Sequence, residues 1–421
     1  MRGNELSNAT LEDISAHLDR MVAGREFRVS EVCDVLLKKA VLAKTSDIHL
    51  EPTKRGTRVR YRIDGVLRDA ALLPSTLHDQ LVSRIKVLSD LLTHRRDIVQ
   101  EGRISIVVGD HATDLRVSIV PTVGGEKAVI RVFSMHDAVF SLSEVGYSDD
   151  MQRRLKAVLF DLEGLFLLTG PSGSGKTTTL YSILNEIQRE MEDFASITTI
   201  EDPVEYEFGT FSQMQVNRQV DFDFAAGLKA ALRQDPEVIM VGEIRDVETG
   251  EVALRAGLTG HMVLSTLHSG SAPETVTRLI NMGLEPFVVA SALTGTIAQR
   301  LVRRLCPECV EPHELDPMKL ELIQRLSHLD ADAPPPEFFR GKGCEACGFS
   351  GFSGRLPIAE FLSVDEDLRG LILDKARTGT IRRHLLSKGW KSLFDDGLQK
   401  AQGKLTTFEE VMRRVSLREV L

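Results

Sequence analysis

The chain has 421 residues, enough for two or three domains with sizeable cores. Its 42% apolar and 27% charged residues exclude disordered and collagen-like classes, and 52 basic against 61 acidic side chains leave a net charge of −9. That acidic balance, with only 5% aromatic residues, argues against a protein built to coat nucleic acid.

In chain order, residues 1–45 read as a short helical lead-in, with Val32, Val35, Leu36 and Ala40 at helical spacing. Glu5, Glu12, Asp13 and Asp19 near the start leave no apolar segment for a secretory leader. No run of about 18 apolar residues follows, so no membrane span is expected. Residues 46–135 alternate as strands: 47–51, 57–63, 102–108, 114–119 and 128–132. Asp64-Gly65, Gly109-Asp110 and Gly124-Gly125 mark turns, and a helical stretch from Leu77 to Leu92 interrupts the series. The alternation predicts a small α+β domain whose sheet carries many arginines on one face.

Residues 136–155 read as a Ser- and Asp-rich linker. Beyond it, short apolar strands at 165–168, 196–200, 238–241 and 262–265 alternate with helices, the pattern of a parallel α/β sheet. This second domain is expected over 156–305. An irregular segment follows at 306–357, bounded by Cys306-Pro-Glu-Cys309 and Cys344-Glu-Ala-Cys347. Two such pairs in a leaderless chain suit a closed, structural tetrahedral Zn2+ site, whereas lone Cys33 reads as a small buried side chain. Residues 358–421 are expected to be helical, the last helix opened by Thr406, Thr407, Glu409 and Glu410.

The sharpest chemical signal is Gly170-Pro171-Ser172-Gly173-Ser174-Gly175-Lys176-Thr177, followed by Thr178. It fits G-x-x-x-x-G-K-[ST] between a strand and a helix. Backbone N–H groups of such a loop close around phosphate oxygens, Lys176 reaches the β- and γ-phosphates, and the Thr177 hydroxyl ligates Mg2+. The loop therefore reads as a nucleotide site with Mg2+. Two acidic places accompany it. Val238–Val241 runs into Gly242-Glu243, at the strand end where an acidic group usually holds Mg2+ through water, but Glu243 stands where an ordinary Walker B strand has Asp, so that pattern fits poorly from the residues alone. Ile200-Glu201-Asp202-Pro203 offers either a base for the attacking water or an acidic helix-capping turn.

Seven blocks resemble one family: Ser46–Pro52, Arg60–Gly65, Gly170–Tyr181, Thr199–Tyr206, Leu232–Pro236, Val241–Asp246 and Leu258–His268. The chain resembles the secretion ATPases, and within them the GspE/PulE/PilB group of type II secretion and type IV pilus assembly. The resemblance implies a RecA-like P-loop domain preceded by a PAS-like domain that closes on the nucleotide. It implies Glu201 as catalytic base, Glu243 as the Walker B glutamate, and His261 and His268 as the histidine box. Arg116 and Arg131 are implied to meet the γ-phosphate on closure, with Arg218 a weaker third. The tetracysteine insertion is implied for the assembly and secretion branch.

The implied assembly is a homohexamer in the cytoplasm, peripheral to the inner membrane. It would act on an inner-membrane platform protein and a membrane-associated docking protein. About 40 residues precede the Ser46 block, so the long N-terminal docking domain of that group is expected to be missing. A DNA-uptake or pilus motor and a nucleotide-binding paralogue without turnover remain the alternatives.

Overall fold

The structure, a computed structural model, describes residues 16–18, 20–21, 28–109, 111–133, 141–191, 195–326 and 336–415. Most of the expected lead-in before residue 28 and residues 136–140 of the expected linker lie outside them. The chain divides into two compact units, residues 1–138 and 139–421. No helix among the described residues is long and apolar enough to cross a membrane.

The first unit holds strands β1 (Asp47–Thr53), β2 (Gly56–Ile63), β3 (Val66–Leu73), β4 (Gln100–Val108), β5 (His111–Thr122) and β6 (Gly125–Phe133). They form one sheet in the order β3-β2-β1-β6-β5-β4. The sequence reading missed β3, whose Val-Leu-Arg-Asp-Ala-Ala-Leu-Leu run lacks clean alternation. One face is apolar, with Ile48, Leu50, Val59, Tyr61, Leu115, Val117, Ile119 and Ile130 all buried beneath the helices Val29–Leu42 and His78–Leu88. Tyr61 donates its hydroxyl to Leu36 O at 2.7 Å, tying sheet to helix.

The other face carries the arginines, as the alternation predicts. Arg103, Arg116 and Arg131 stand opposite one another on β4, β5 and β6; Arg131 opposes Asp47 on β1, which opposes Arg62 on β2. Asp47 pairs with both Arg131 and Arg62 at 3.3 Å, and the Arg116 guanidinium lies 4.6 Å from the centre of the Phe133 ring.

The second unit contains β7 (Gly164–Thr169), β8 (Ile197–Glu201), β9 (Ser212–Gln215), β10 (Val238–Val241), β11 (Met262–Leu267), β12 (Leu293–Leu305), β13 (Val310–Pro312), β14 (Phe339–Gly341) and β15 (Phe352–Ser363). Seven of them form a sheet in the order β15-β12-β7-β11-β10-β8-β9, parallel throughout except β15. Alternate residues serve two cores: Leu165, Leu167, Ile239 and Val241 face one, and Phe166, Leu168, Val238 and Met240 the other. Burial on both faces explains why these strands read as continuous apolar runs.

Two expectations are corrected here. The stretch expected as linker carries a helix, Asp149–Leu159, capped by the Ser148 side chain on Met151 N, and Leu142, Tyr147, Met151 and Leu155 are buried in a core of the second unit. The sheet also does not end at 305, because β15 pairs with β12 along almost its whole length. Among the described residues four helices follow β15: Glu366–Leu373, Thr378–Ser387, Leu393–Gln402 and Phe408–Arg414. The last opens on Thr407, which accepts from Glu410 N.

Glu360 on β15 joins these helices to the sheet. Its carboxylate accepts the Ala272 N–H at 2.6 Å and the Leu393 N–H at 3.0 Å, the first residues of helices Ala272–Asn281 and Leu393–Gln402. Helix N-termini favour a negative charge. Burial nevertheless dominates and pushes the Glu360 carboxyl up to about 7, against those N–H groups and the charges of Arg382 and Arg300. Because the folded-state value lies above the unfolded one, the native state holds the extra proton, and stability falls as pH rises from about 4.5 towards about 7. Glu360→Gln should flatten this fall by on the order of 2 kcal/mol between about pH 5 and about pH 7.5. Chemical denaturation at the two pH values checks it; identical slopes in wild type and variant would contradict the assignment.

Candidate nucleotide-hydrolysis site

Parallel strands β7, β11, β10 and β8 point the same way, so their C-terminal ends share one edge of the sheet. That edge is where open α/β sheets bind ligands. Each strand delivers a functional group there. β7 runs into the phosphate loop, β10 ends just before Glu243, β11 just before His268, and β8 ends on Glu201 itself.

The loop residues Gly170–Gly175 lead directly into the helix Lys176–Glu190. Gly170 has φ +148, and a Cβ there would stand 2.5 Å from Gln299 O and 2.6 Å from Ser174 Oγ, so only glycine fits. Gly173 and Gly175 also have positive φ, which turns the intervening backbone towards the helix start. Thr177 and Thr178 lie in the first turn of that helix, where backbone N–H groups and the dipole favour phosphate. Lys176 Nζ donates to Gly170 O at 2.8 Å and Pro171 O at 3.1 Å. Burial pulls its ammonium below the usual lysine range, Glu243 opposes that shift, and Arg300 adds to it.

Around Glu243 the structure gathers Arg245 in a short contact and His268 Nε2 at 3.6 Å from Oε2. Arg218, exposed, pairs with Asp202 at 2.9 Å beside Glu201. His261 does not belong to this group. It precedes β11 and therefore sits at the opposite end of that strand from His268, roughly 20 Å away for an extended stretch of this length. There its Nδ1 lies 3.2 Å from Ala256 O and its carbonyl accepts from Gly164 N at 3.1 Å, ties that close the turn at the strand's start. The structure thus does not bring His261 to the edge that carries His268: a histidine pair close in sequence is split by a full strand.

The sequence reading also missed the buried polar groups that brace the loop. β12 runs parallel to β7 with Ala298 opposite Thr169, so Gln299 arrives at the base of the phosphate loop. Gln299 Nε2 donates to Ser174 O at 2.8 Å, while its Oε1 accepts from Thr179 Oγ1 at 3.2 Å and from the Tyr147 hydroxyl. On the other side, Thr169 Oγ1 donates to Leu267 O at 2.9 Å and accepts from Ser269 N at 2.8 Å. Glu201 is 3% exposed and is held by Tyr181, Thr199 and Gln213. Tyr181 closes the Gly170–Tyr181 stretch, but nothing in its sequence spacing distinguishes it from a core aromatic.

Apart from this edge, the four paired cysteines cluster. Sγ–Sγ separations are 3.8 Å for Cys306–Cys344, 3.9 Å for Cys309–Cys347 and 3.8 Å for Cys344–Cys347. All four sulfurs lie within 4.8 Å of one another. Sulfurs at the corners of a Zn–S tetrahedron stand about 3.8 Å apart, so the cage has the right size. Backbone N–H groups of Gly343, Cys344 and Gly351 point at Cys309 and Cys347 sulfurs at 3.2 to 3.3 Å, a donor set that favours thiolates. Burial raises the Cys347 thiol, but the N–H groups of Cys344 and Gly351 together with the Cys344 and Cys309 side chains outweigh it and bring it down to about 6. Gly341 and Gly351 pass so closely that a Cβ on Gly341 would meet Gly351 O at 2.1 Å, which draws the two knuckles together.

Comparison with known proteins assigns the family. The profile of the family described as "Type II/IV secretion system protein" matches residues 24–413. The chain belongs to that family. It is 41% identical over 412 residues to "Type II secretion system protein E" of Pseudomonas aeruginosa, covering 98% of this chain and 80% of that protein. It is 42% identical over 379 residues to "Type IV pilus assembly ATPase PilB" of Thermus thermophilus, covering 90% of this chain and 42% of that protein. The solved structure of the Legionella pneumophila ATPase DotB superposes with a TM-score of 0.66 at 22% identity, over 92% of this chain and 96% of that one. The chain thus shares the α/β fold of that ATPase.

The brace on the loop leads to a prediction. Gln299→Leu removes the donor to Ser174 O and the acceptor for Thr179 and Tyr147, and should weaken ATP binding about tenfold, as loss of a buried hydrogen-bonded brace allows. Titration with a fluorescent ATP analogue measures it; unchanged affinity would show that the loop holds its shape without Gln299.

Proposed function

We propose that this chain is an ATP hydrolase that drives type II secretion or type IV pilus assembly. The observation that carries the reading is the convergence of Lys176, Glu201, Glu243 and His268 on one edge of a parallel sheet. Family membership over nearly the whole chain supports the machine.

Phosphoryl transfer needs positioning and charge stabilisation more than covalent chemistry. Residues Gly170–Thr178 bind the triphosphate, and Lys176 leaves its carbonyl partners for the β- and γ-phosphates. Mg2+, held by Thr177 and through water by Glu243, would neutralise the phosphate charge. Glu201 accepts the proton of the attacking water, and its near-complete burial makes it a directed acceptor. His268 holds Glu243 in place from the next strand, and Arg245 does so from its own loop.

The first unit serves as the PAS-like domain that closes on the nucleotide. Its arginine row supports this, since Arg116 and Arg131 lie side by side in register on adjacent strands and present guanidinium groups from a rigid sheet. The working assembly is a homohexamer that turns an inner-membrane platform protein and is tethered by a membrane-associated docking protein on the cytoplasmic side. Cys306, Cys309, Cys344 and Cys347 hold a structural Zn2+ with no open position, a reading supported by the tetrahedral sulfur spacing.

Two tests follow. Glu201→Gln should cut ATP turnover at least about 100-fold while leaving ATP binding within about threefold, the pattern for a lost general base; turnover near wild type would refute the base assignment. Cys306→Ser should lower the zinc content of the purified protein and its thermal midpoint, because metal-binding energy is folding energy. Elemental analysis that finds no zinc in freshly purified wild type would refute the metal site.

A further inference from the structure

The buried Glu201 carboxylate accepts from three side chains. Oε1 takes Thr199 Oγ1 at 2.6 Å and Gln213 Nε2 at 3.1 Å, and Oε2 takes the Tyr181 hydroxyl. An ionised carboxylate offers about four acceptor positions, so three donors leave one, on Oε2, for a further partner. A group that must accept a proton from one water in one direction is oriented by such an arrangement.

The three donors are themselves fixed. Thr199 stands two residues earlier on β8, on the same face as Glu201. Gln213 sits opposite Thr199 on β9, with Nε2 also donating to Tyr206 O at 2.9 Å and Oε1 accepting from Phe208 N at 2.7 Å. The Tyr181 ring is fully buried, edge-on to Tyr206 at 6.0 Å and to Phe208 at 4.9 Å between centroids. Burial, with Glu201 and Glu205 close by, pushes its phenol up beyond the ordinary tyrosine range, so it stays a hydroxyl donor at working pH.

Tyr181 also lies on the helix that begins at Lys176, about 7.5 Å along its axis. One rigid helix therefore carries both the lysine that meets the phosphates and the hydroxyl that aims the carboxylate.

We propose that Tyr181 is a positioning residue for hydrolysis: its hydroxyl orients Glu201 so that the one remaining acceptor position meets the attacking water, in register with the phosphate held by Lys176. The inference rests on the reading of Glu201 as the base. A tyrosine that merely filled the core would act through its ring alone, and Phe would replace it without loss.

The test compares Tyr181→Phe, Tyr181→Leu, Glu201→Gln and the Tyr181→Phe/Glu201→Gln double variant of the full chain, by steady-state and single-turnover hydrolysis of Mg2+·ATP. Tyr181→Phe keeps the ring and should lower kcat about tenfold while the ATP KM moves less than about twofold, the split expected of an interaction realised in the transition state. Tyr181→Leu should be no better than Tyr181→Phe. In the Glu201→Gln background Tyr181→Phe should cost nothing further, since partners acting as one unit are not additive. Wild-type kcat or a raised kcat in Tyr181→Phe overturns the proposal, as does the same fold-loss in both backgrounds. Glu201→Gln with wild-type turnover would instead defeat the base reading on which it rests.

Discussion

Parallel pairing of β7, β11, β10 and β8 is the constraint on which the site depends. Strands that run the same way must end on the same edge, so the loop after each is brought beside the loops of its neighbours. Lys176, Glu243, His268 and Glu201 come from four separate stretches of chain and meet for this reason alone. The same constraint places His261, at the other end of β11, on the far edge. Burial on both faces by two apolar cores makes the sheet rigid enough to hold these groups in register.

A second layer of buried polar contacts converts this coarse alignment into a shaped site. Gln299 grips the phosphate loop from β12, Thr169 and Ser269 lock the end of β7 to the loop after β11, and Tyr181, Thr199 and Gln213 surround Glu201. Such groups are costly to bury unless paired, and here each finds a partner in a neighbouring functional loop. Glu360 extends the layer outward by capping the helix that follows the His268 loop and a helix of the C-terminal region.

Much of this was legible from sequence because it rests on local chemistry. The phosphate loop shows itself by glycine spacing between a strand and a helix, and the cysteine knuckles by two C-x-x-C pairs. The arginine face of the first sheet shows itself by period-two alternation. What was not legible depends on tertiary pairing. Gln299 lies in Thr-Ile-Ala-Gln-Arg-Leu, a run whose partner strand could not be read from its own residues. Tyr147 and the helix after it were hidden in a stretch whose Ser and Asp content reads as linker, although Met151, Leu155 and Leu159 carry an apolar i, i+4 series. The separation of His261 from His268 was hidden because sequence proximity says nothing about which end of a strand each occupies.

The central claim is that the phosphate loop and Glu201 form one hydrolytic centre. Its most direct test is a structure of the full chain with Mg2+ and a non-hydrolysable ATP analogue. The account predicts the γ-phosphate within hydrogen-bond distance of Lys176, and a water on the free acceptor position of a Glu201 still bonded to Tyr181. A triphosphate seated away from Gly170–Thr178, or a Glu201 carboxylate turned from it with no water between, would contradict the account.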